Sequence, residues 1–178
     1  IGLWMFSRTH KLPLSWTLDR AVLTVPIGGA LIRLGNLFNS EIYGHPTDRP
    51  FAFRFIENIP QWMEGAEPIY SLPSHPTQIY EAVIYTAIFA VLLAIYFRTR
   101  TAERYPGAIF GIFLTLLFTS RFFIENLKLV QDSVDARFMA EYGINIGQAL
   151  SLPFIVAGVI ITVMAYRGRF ARVTTKKR

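Results

Sequence analysis

Arg33 and Arg121 each stand inside an apolar run of membrane-spanning length, residues 21–39 and 107–124, and Glu81 opens a third, residues 81–97. Ionisable side chains at membrane depth are expensive and are usually retained because they do something. Each belongs to a polar cluster: Arg33, Asn36, Asn39 and Glu41; His75, Gln78, Tyr80 and Glu81; Arg121, Glu125 and Asn126. On a helix Arg33 and Asn36 share a face, and Arg121 and Glu125 are spaced to pair. One reading makes these groups ion pairs and amide bridges between helices. Ser, Thr or Asn would supply that glue at a lower desolvation cost, so two separate arginines suit another task better. A guanidinium grips phosphate with a planar fork and stays charged at any relevant pH. Two of them could hold a phospholipid head group and stabilise charge developing on a phosphate leaving group. Glu41, Glu81 or Glu125 could orient them or move protons, and Gln78 and Tyr80 could donate hydrogen bonds.

The elements that must position these residues are helices in a membrane. The chain has 178 residues, of which 52% are hydrophobic and only 17% charged, too apolar a balance for an ordinary soluble domain. Residues 81–97, 107–124 and 146–166 are long enough to cross the hydrocarbon. Residues 21–39 make a fourth span, expected to be irregular because Pro26 and three glycines interrupt it. Pro153 is a candidate kink in the last span. The expected fold is therefore all-α: a polytopic membrane protein of about four spans, one of them irregular. Residues 1–178 form one transmembrane domain, expected to be the C-terminal part of a larger helical domain because residues 1–6 read as the end of an apolar helix.

Charge in the connections gives an expected orientation. Residues 7–20 hold Arg8, Lys11 and Arg20 against Asp19, and residues 98–106 hold Arg98, Arg100 and Arg104 against Glu103. Residues 40–78 hold five acids and two bases, and residues 125–145 hold four acids and two bases. The basic connections belong on the cytoplasmic side. The acidic loops then face outward, bringing all three polar clusters to the outer ends of their spans. Residues 41–78 hold six prolines and read as an outward-facing loop with little regular structure. Residues 167–178 hold six bases and no acid, and read as a cytoplasmic tail rather than a nucleic-acid arm.

Several chemistries are set aside. The chain has no cysteine, so it carries no thiolate nucleophile or disulfide. Its three histidines, His10, His45 and His75, lack metal-ligand spacing, and no metal or cofactor is expected. Neither Gly-x-Ser-x-Gly nor His-Glu-x-x-His occurs.

The stretch Arg33-Leu34-Gly35-Asn36-Leu37-Phe38-Asn39-Ser40-Glu41-Ile42-Tyr43-Gly44 resembles the signature of the bacterial prolipoprotein diacylglyceryl transferases, Arg-x-Gly-Asn-Phe-x-Asn-x-Glu-x-x-Gly, with Leu37 where Phe is usual. His75-Pro-Thr-Gln78-Ile-Tyr80-Glu81 is similar to that family's His-Pro-Ser-Gln-x-Tyr-Glu. Arg121 to Glu125, followed by Gly147-Gln148-Ala-Leu-Ser-Leu-Pro153, is similar to its last two helices. The resemblance implies a seven-helix enzyme of the bacterial plasma (inner) membrane. It implies transfer of the diacylglyceryl group from phosphatidylglycerol to the lipobox cysteine of a prolipoprotein signal peptide, forming a thioether and releasing glycerol phosphate. Arg33, Glu41, Glu81, Arg121 and Glu125 would be catalytic. Arg33, Asn36, Asn39, Gly44, His75, Gln78, Tyr80 and Arg121 would bind substrate. The partners would be phosphatidylglycerol, the prolipoprotein and membrane lipid, with no nucleic acid. The family's upstream His-Gly motif has no counterpart in residues 1–19, which leaves the proton acceptor open and predicts that this chain alone is inactive.

Two other function classes fit parts of the pattern. One is a transporter or channel with Arg33, Glu81 and Arg121 along a substrate path. Such a site sits near the bilayer midplane, often between internal repeats. The clusters here lie at one face and no repeat is visible. The other is a non-catalytic membrane subunit that binds anionic lipid.

Overall fold

The computed structural model describes residues 1–129 and 133–170. Arg172, Lys176, Lys177 and Arg178 of the basic tail lie outside the described residues. The elements run α1 (Gly2–Thr9), α2 (Leu14–Ala21), α3 (Val25–Phe38), α4 (Ile59–Met63), α5 (Thr77–Arg98), α6 (Thr101–Arg104), α7 (Ala108–Ile124), a 3-10 turn (Glu125–Leu127), α8 (Ser133–Tyr142) and α9 (Ile146–Tyr166). Four stretches are long and apolar enough to cross a membrane: Leu14–Phe38, Thr77–Arg98, Ala108–Leu127 and Ile146–Tyr166. Among the described residues no strand forms, so the all-helical expectation holds.

The first span begins earlier than expected. Residues 14–20, read from their charge as part of a connection, form α2, and α2 and α3 make one interrupted span. The break has a covalent cause. Pro26 has no N–H to give to the carbonyl of Val22, so the ladder of α2 cannot continue unbroken into α3. Pro26 then sits in the first turn of α3, where a missing donor costs nothing. Asp19, counted in the sequence only as a loop charge, is fully buried on α2. It accepts hydrogen bonds from the amides of Gly107 at 2.6 Å and Phe110 at 2.8 Å. That carboxylate satisfies the orphan donors at the start of α7 and ties the first span to the third.

The core follows one stripe of α5. Its buried positions are Thr77, Gln78, Glu81, Ala82, Tyr85, Ile88 and Leu92, a helical spacing. The stripe is polar at the N-terminal end and apolar beyond, where it packs with Val22, Ala30, Ile109 and Phe113. Helices α7 and α9 approach through small residues. A Cβ at Gly111 would lie 2.7 Å from the Thr162 amide, and one at Gly158 would lie 2.7 Å from that of Thr115. Close approach through Gly and Thr is how helices gain dispersion contact in lipid. Helix α9 opens with a capping box, in which Gln148 donates its amide to Asn145 Oδ1 and the Asn145 amide reaches Gln148 Oε1. Pro153 lies inside α9 without ending it.

Residues 41–78 are more ordered than their prolines suggest. The segment folds back on itself through isolated antiparallel bridges, Pro46 and Phe53 to Ser74 and Ile56 to Tyr70, around buried Phe55. The phenyl ring of Phe55 stacks on Tyr43 at 4.5 Å. A further bridge joins Gly44 to Lys128 and fastens this segment to the end of α7. The interrupted pairing explains why no alternating pattern marks it in the sequence. Bridges one residue long impose no period.

Candidate active site

The polar end of α5, the C-terminal half of α3 and the end of α7 meet at one end of the spans. Glu81 is the centre. Its side chain is 0% exposed, with Arg33 Nε 3.1 Å from Oε2 and Lys128 Nζ 3.1 Å from Oε1. The Arg33 contact lacks hydrogen-bond alignment, so it acts as an ion pair. The Tyr85 hydroxyl, one turn along α5, donates to Glu81 Oε1 at 3.4 Å. Lys128 also reaches Glu125 Oε2 at 3.3 Å. A buried carboxylate needs this company, because an unpaired charge out of water is strongly unfavourable.

Above this network lies a partly open cavity of about 350 Å³ lined by Arg33, Ile42, Arg121, Glu125, Lys128, Leu129 and Asp135. Of the expected catalytic residues, Arg33, Glu81, Arg121 and Glu125 are therefore brought together. Ile42 reaches the cavity in a left-handed conformation, φ 58°. For a β-branched residue that is costly and must be held by its surroundings. The first turn of α5 does so: Thr77 donates to the Ile42 carbonyl at 2.9 Å, and Gln78 Nε2 donates to the Glu41 carbonyl at 2.6 Å.

The expected pairing of Arg121 with Glu125 is not what forms. Glu125 pairs with Lys128, and among the described residues no ion pair reaches Arg121. The helix tightens into the 3-10 turn at Glu125 and brings Lys128 back toward it. Helix α9 also abuts the carboxylate. A Cβ at Gly147 would lie 2.5 Å from its carboxyl carbon, and Asn145 donates to the Glu125 carbonyl at 3.1 Å.

The remaining expected residues lie around this centre. Glu41 is exposed and lines, with Asn39, Tyr43 and Glu57, a separate cavity of about 500 Å³. Asn36 accepts the Glu41 amide on its backbone carbonyl at 2.9 Å, closing the end of α3. Gly44 is buried, and its amide donates to the His75 carbonyl at 2.8 Å. A Cβ there would overlap the Leu127 carbonyl and lie 2.8 Å from Thr77 Cγ2, so this glycine is required for packing. His75 Nδ1 lies 3.2 Å from the Tyr80 hydroxyl, beside Phe51. Gln78 is fully buried and serves the backbone of the 41–42 turn. Sequence reasoning missed Lys128, treating it as a topological charge. Its one visible signal was the three-residue spacing from Glu125.

Four spans with Arg33, Arg121 and Lys128 gathered at one end beside Glu81, Glu125 and Asp135 define a multi-pass membrane protein with a charged site at that end. Residues 1–164 match the family model described as prolipoprotein diacylglyceryl transferase, and the chain belongs to that family. It is similar to the phosphatidylglycerol–prolipoprotein diacylglyceryl transferase of Porphyromonas gingivalis, 43% identical over 94% of this chain and 59% of that protein. Identity to the proteins of the same name is 40% in Tolumonas auensis, over 93% of this chain and 58% of that protein, and 32% in Escherichia coli, over 92% and 58%. The chain thus spans a little over half the length of these relatives.

Proposed function

We propose that this chain carries the phosphate-binding part of an enzyme that moves the diacylglyceryl group of phosphatidylglycerol onto a prolipoprotein cysteine. The observation that carries the reading is the meeting of Arg33 and Arg121 on one cavity, above a carboxylate that orients Arg33. Both arginines grip the phosphodiester. The substrate thiolate forms a C–S bond to the terminal glyceryl carbon, and the bond from that carbon to the phosphate ester oxygen breaks. Its electron pair leaves on glycerol phosphate, and the thiol proton goes to a base. Charge grows on the phosphate oxygen, where two guanidinium groups stabilise it most. The nucleophile belongs to the substrate, so an enzyme chain without cysteine is no obstacle.

The chain lies in the bacterial inner membrane with the cavity toward the outer leaflet and the C-terminus cytoplasmic. The support is the basic character of residues 98–106 and 167–178 against the acidic 40–78 and 125–145. Glu41, Asn36, Asn39, Gly44, His75, Gln78 and Tyr80 shape and support the substrate approach around the central residues. A transport path is disfavoured because the charged groups gather at the span ends rather than at mid-depth. The test is incubation of the full-length protein with phosphatidylglycerol and a lipobox peptide. A peptide mass gain of one diacylglyceryl group is expected. No gain, with the protein folded, refutes the reading.

A further inference from the structure

Lys128 follows the 3-10 turn and is 8% exposed, with Nζ between Glu81 and Glu125. Its position is set from outside α7. Its backbone bridges to Gly44, and the neighbouring Leu127 carbonyl accepts the His45 amide at 2.8 Å. The ammonium therefore contacts both Glu81, the partner of Arg33, and Glu125, one helical turn from Arg121 in sequence. The other acid lining the cavity, Asp135, accepts the Ile146 amide at the start of α9 at 2.8 Å. Arg121 precedes Glu125 by four residues, a spacing at which the two would ordinarily pair, yet no carboxylate among the described residues lies within ion-pair distance of it.

We propose that Lys128 is a positioning residue: by holding Glu81 and Glu125 together it keeps Glu125 from neutralising Arg121 and leaves that guanidinium for the phosphodiester of the substrate. Removing the ammonium frees Glu125 to turn one helical turn back onto Arg121. The carboxylate then competes with the lipid for the same donors. The inference rests on the reading above, that the cavity takes a phospholipid phosphate.

The test uses the full-length protein in phosphatidylcholine nanodiscs titrated with phosphatidylglycerol. Equilibrium lipid binding is measured beside transfer to a lipobox peptide. Lys128→Met keeps the stem and removes the charge. Its Kd and KM for phosphatidylglycerol should rise about tenfold with kcat little changed, the size expected when one charge-assisted hydrogen bond to the anion is blocked. Lys128→Arg, which keeps the charge, should bind like the wild type. The double variant Lys128→Met with Glu125→Gln should regain most of the lost affinity, because the competing carboxylate is gone. A merely structural lysine would give no such rescue. Unchanged affinity in Lys128→Met, or a double variant no better than Lys128→Met alone, overturns the proposal. If Lys128→Met does not fold, the double variant decides: affinity near wild type supports the role, and a loss as large as about tenfold overturns it. A wild-type protein that binds phosphatidylglycerol but transfers nothing refutes the proposed function, while the variant affinities still decide the role of Lys128.

Discussion

Replacing Arg33 by lysine separates charge from geometry. The guanidinium serves two partners at once: Nε lies 3.1 Å from Glu81 Oε2, and the side chain also lines the cavity. Lysine carries one nitrogen. If that nitrogen stays on Glu81, the phosphate loses its fork, and if it turns to the phosphate, Glu81 keeps Lys128 alone. Either way one charged contact is lost, the fork on the phosphate or the ion pair with Glu81. At roughly 1.5–3 kcal/mol, and with the loss felt most as charge develops, kcat/KM should fall about 10- to 100-fold. Stability should change much less than on removing the charge, because a cation still faces the buried Glu81 carboxylate and Lys128 remains paired with it. The assay is diacylglyceryl transfer to a lipobox peptide, read by mass, beside thermal unfolding in detergent. Turnover within about threefold of wild type would show that a point charge is enough and that the fork is unused. A large stability loss with unchanged turnover per folded molecule would make Arg33 helix glue instead.

Glu81→Gln should lower stability by about 3–5 kcal/mol, since it leaves Arg33 and Lys128 facing each other around a neutral amide; equilibrium unfolding in detergent measures this, and a change under about 1 kcal/mol would mean the ion pairs are loosely held. Gly44→Ala should cost about 1–3 kcal/mol, because the new methyl meets the Leu127 carbonyl and Thr77, and it should shift Lys128 through the bridge to Gly44. A fully stable Gly44→Ala protein would refute that packing role. Asp19→Ala should cost about 1–2 kcal/mol by uncapping α7, and Asp19→Asn, which keeps one of the two acceptor oxygens and sets its NH2 against the other amide, at least about half of that. A loss in Asp19→Asn that is small beside that of Asp19→Ala would show that one acceptor oxygen is enough to cap α7.

Much of this was legible along the chain. Spans of apolar residues announce themselves because the hydrocarbon sets a minimum length and excludes charge, which is also why Arg33, Glu81 and Arg121 stood out. Family membership was legible too, in the run from Arg33 to Gly44 and its two companions, and the family match over residues 1–164 agrees. Local rules erred at Arg121 and Glu125. Four-residue spacing makes a pair possible, but the partner is chosen by whatever else arrives, and here it is Lys128. Asp19 shows the same limit: its carboxylate caps α7 through the Gly107 amide, 88 residues later.

The sequence by itself determined the helical class, the span count and the residue types available for an anion. Each depends on composition or on neighbours within a few turns of helix. Only the tertiary structure decided the pairing of those charges: Glu81 shared by Arg33 and Lys128, Glu125 taken by Lys128, Arg121 left to the cavity. Ion pairs at about 3 Å depend on where helix ends meet, and that is set by Gly44 letting one backbone lie against another and by Gly111 and Gly158 drawing α7 to α9. A glycine in a string of letters does not say what will approach it.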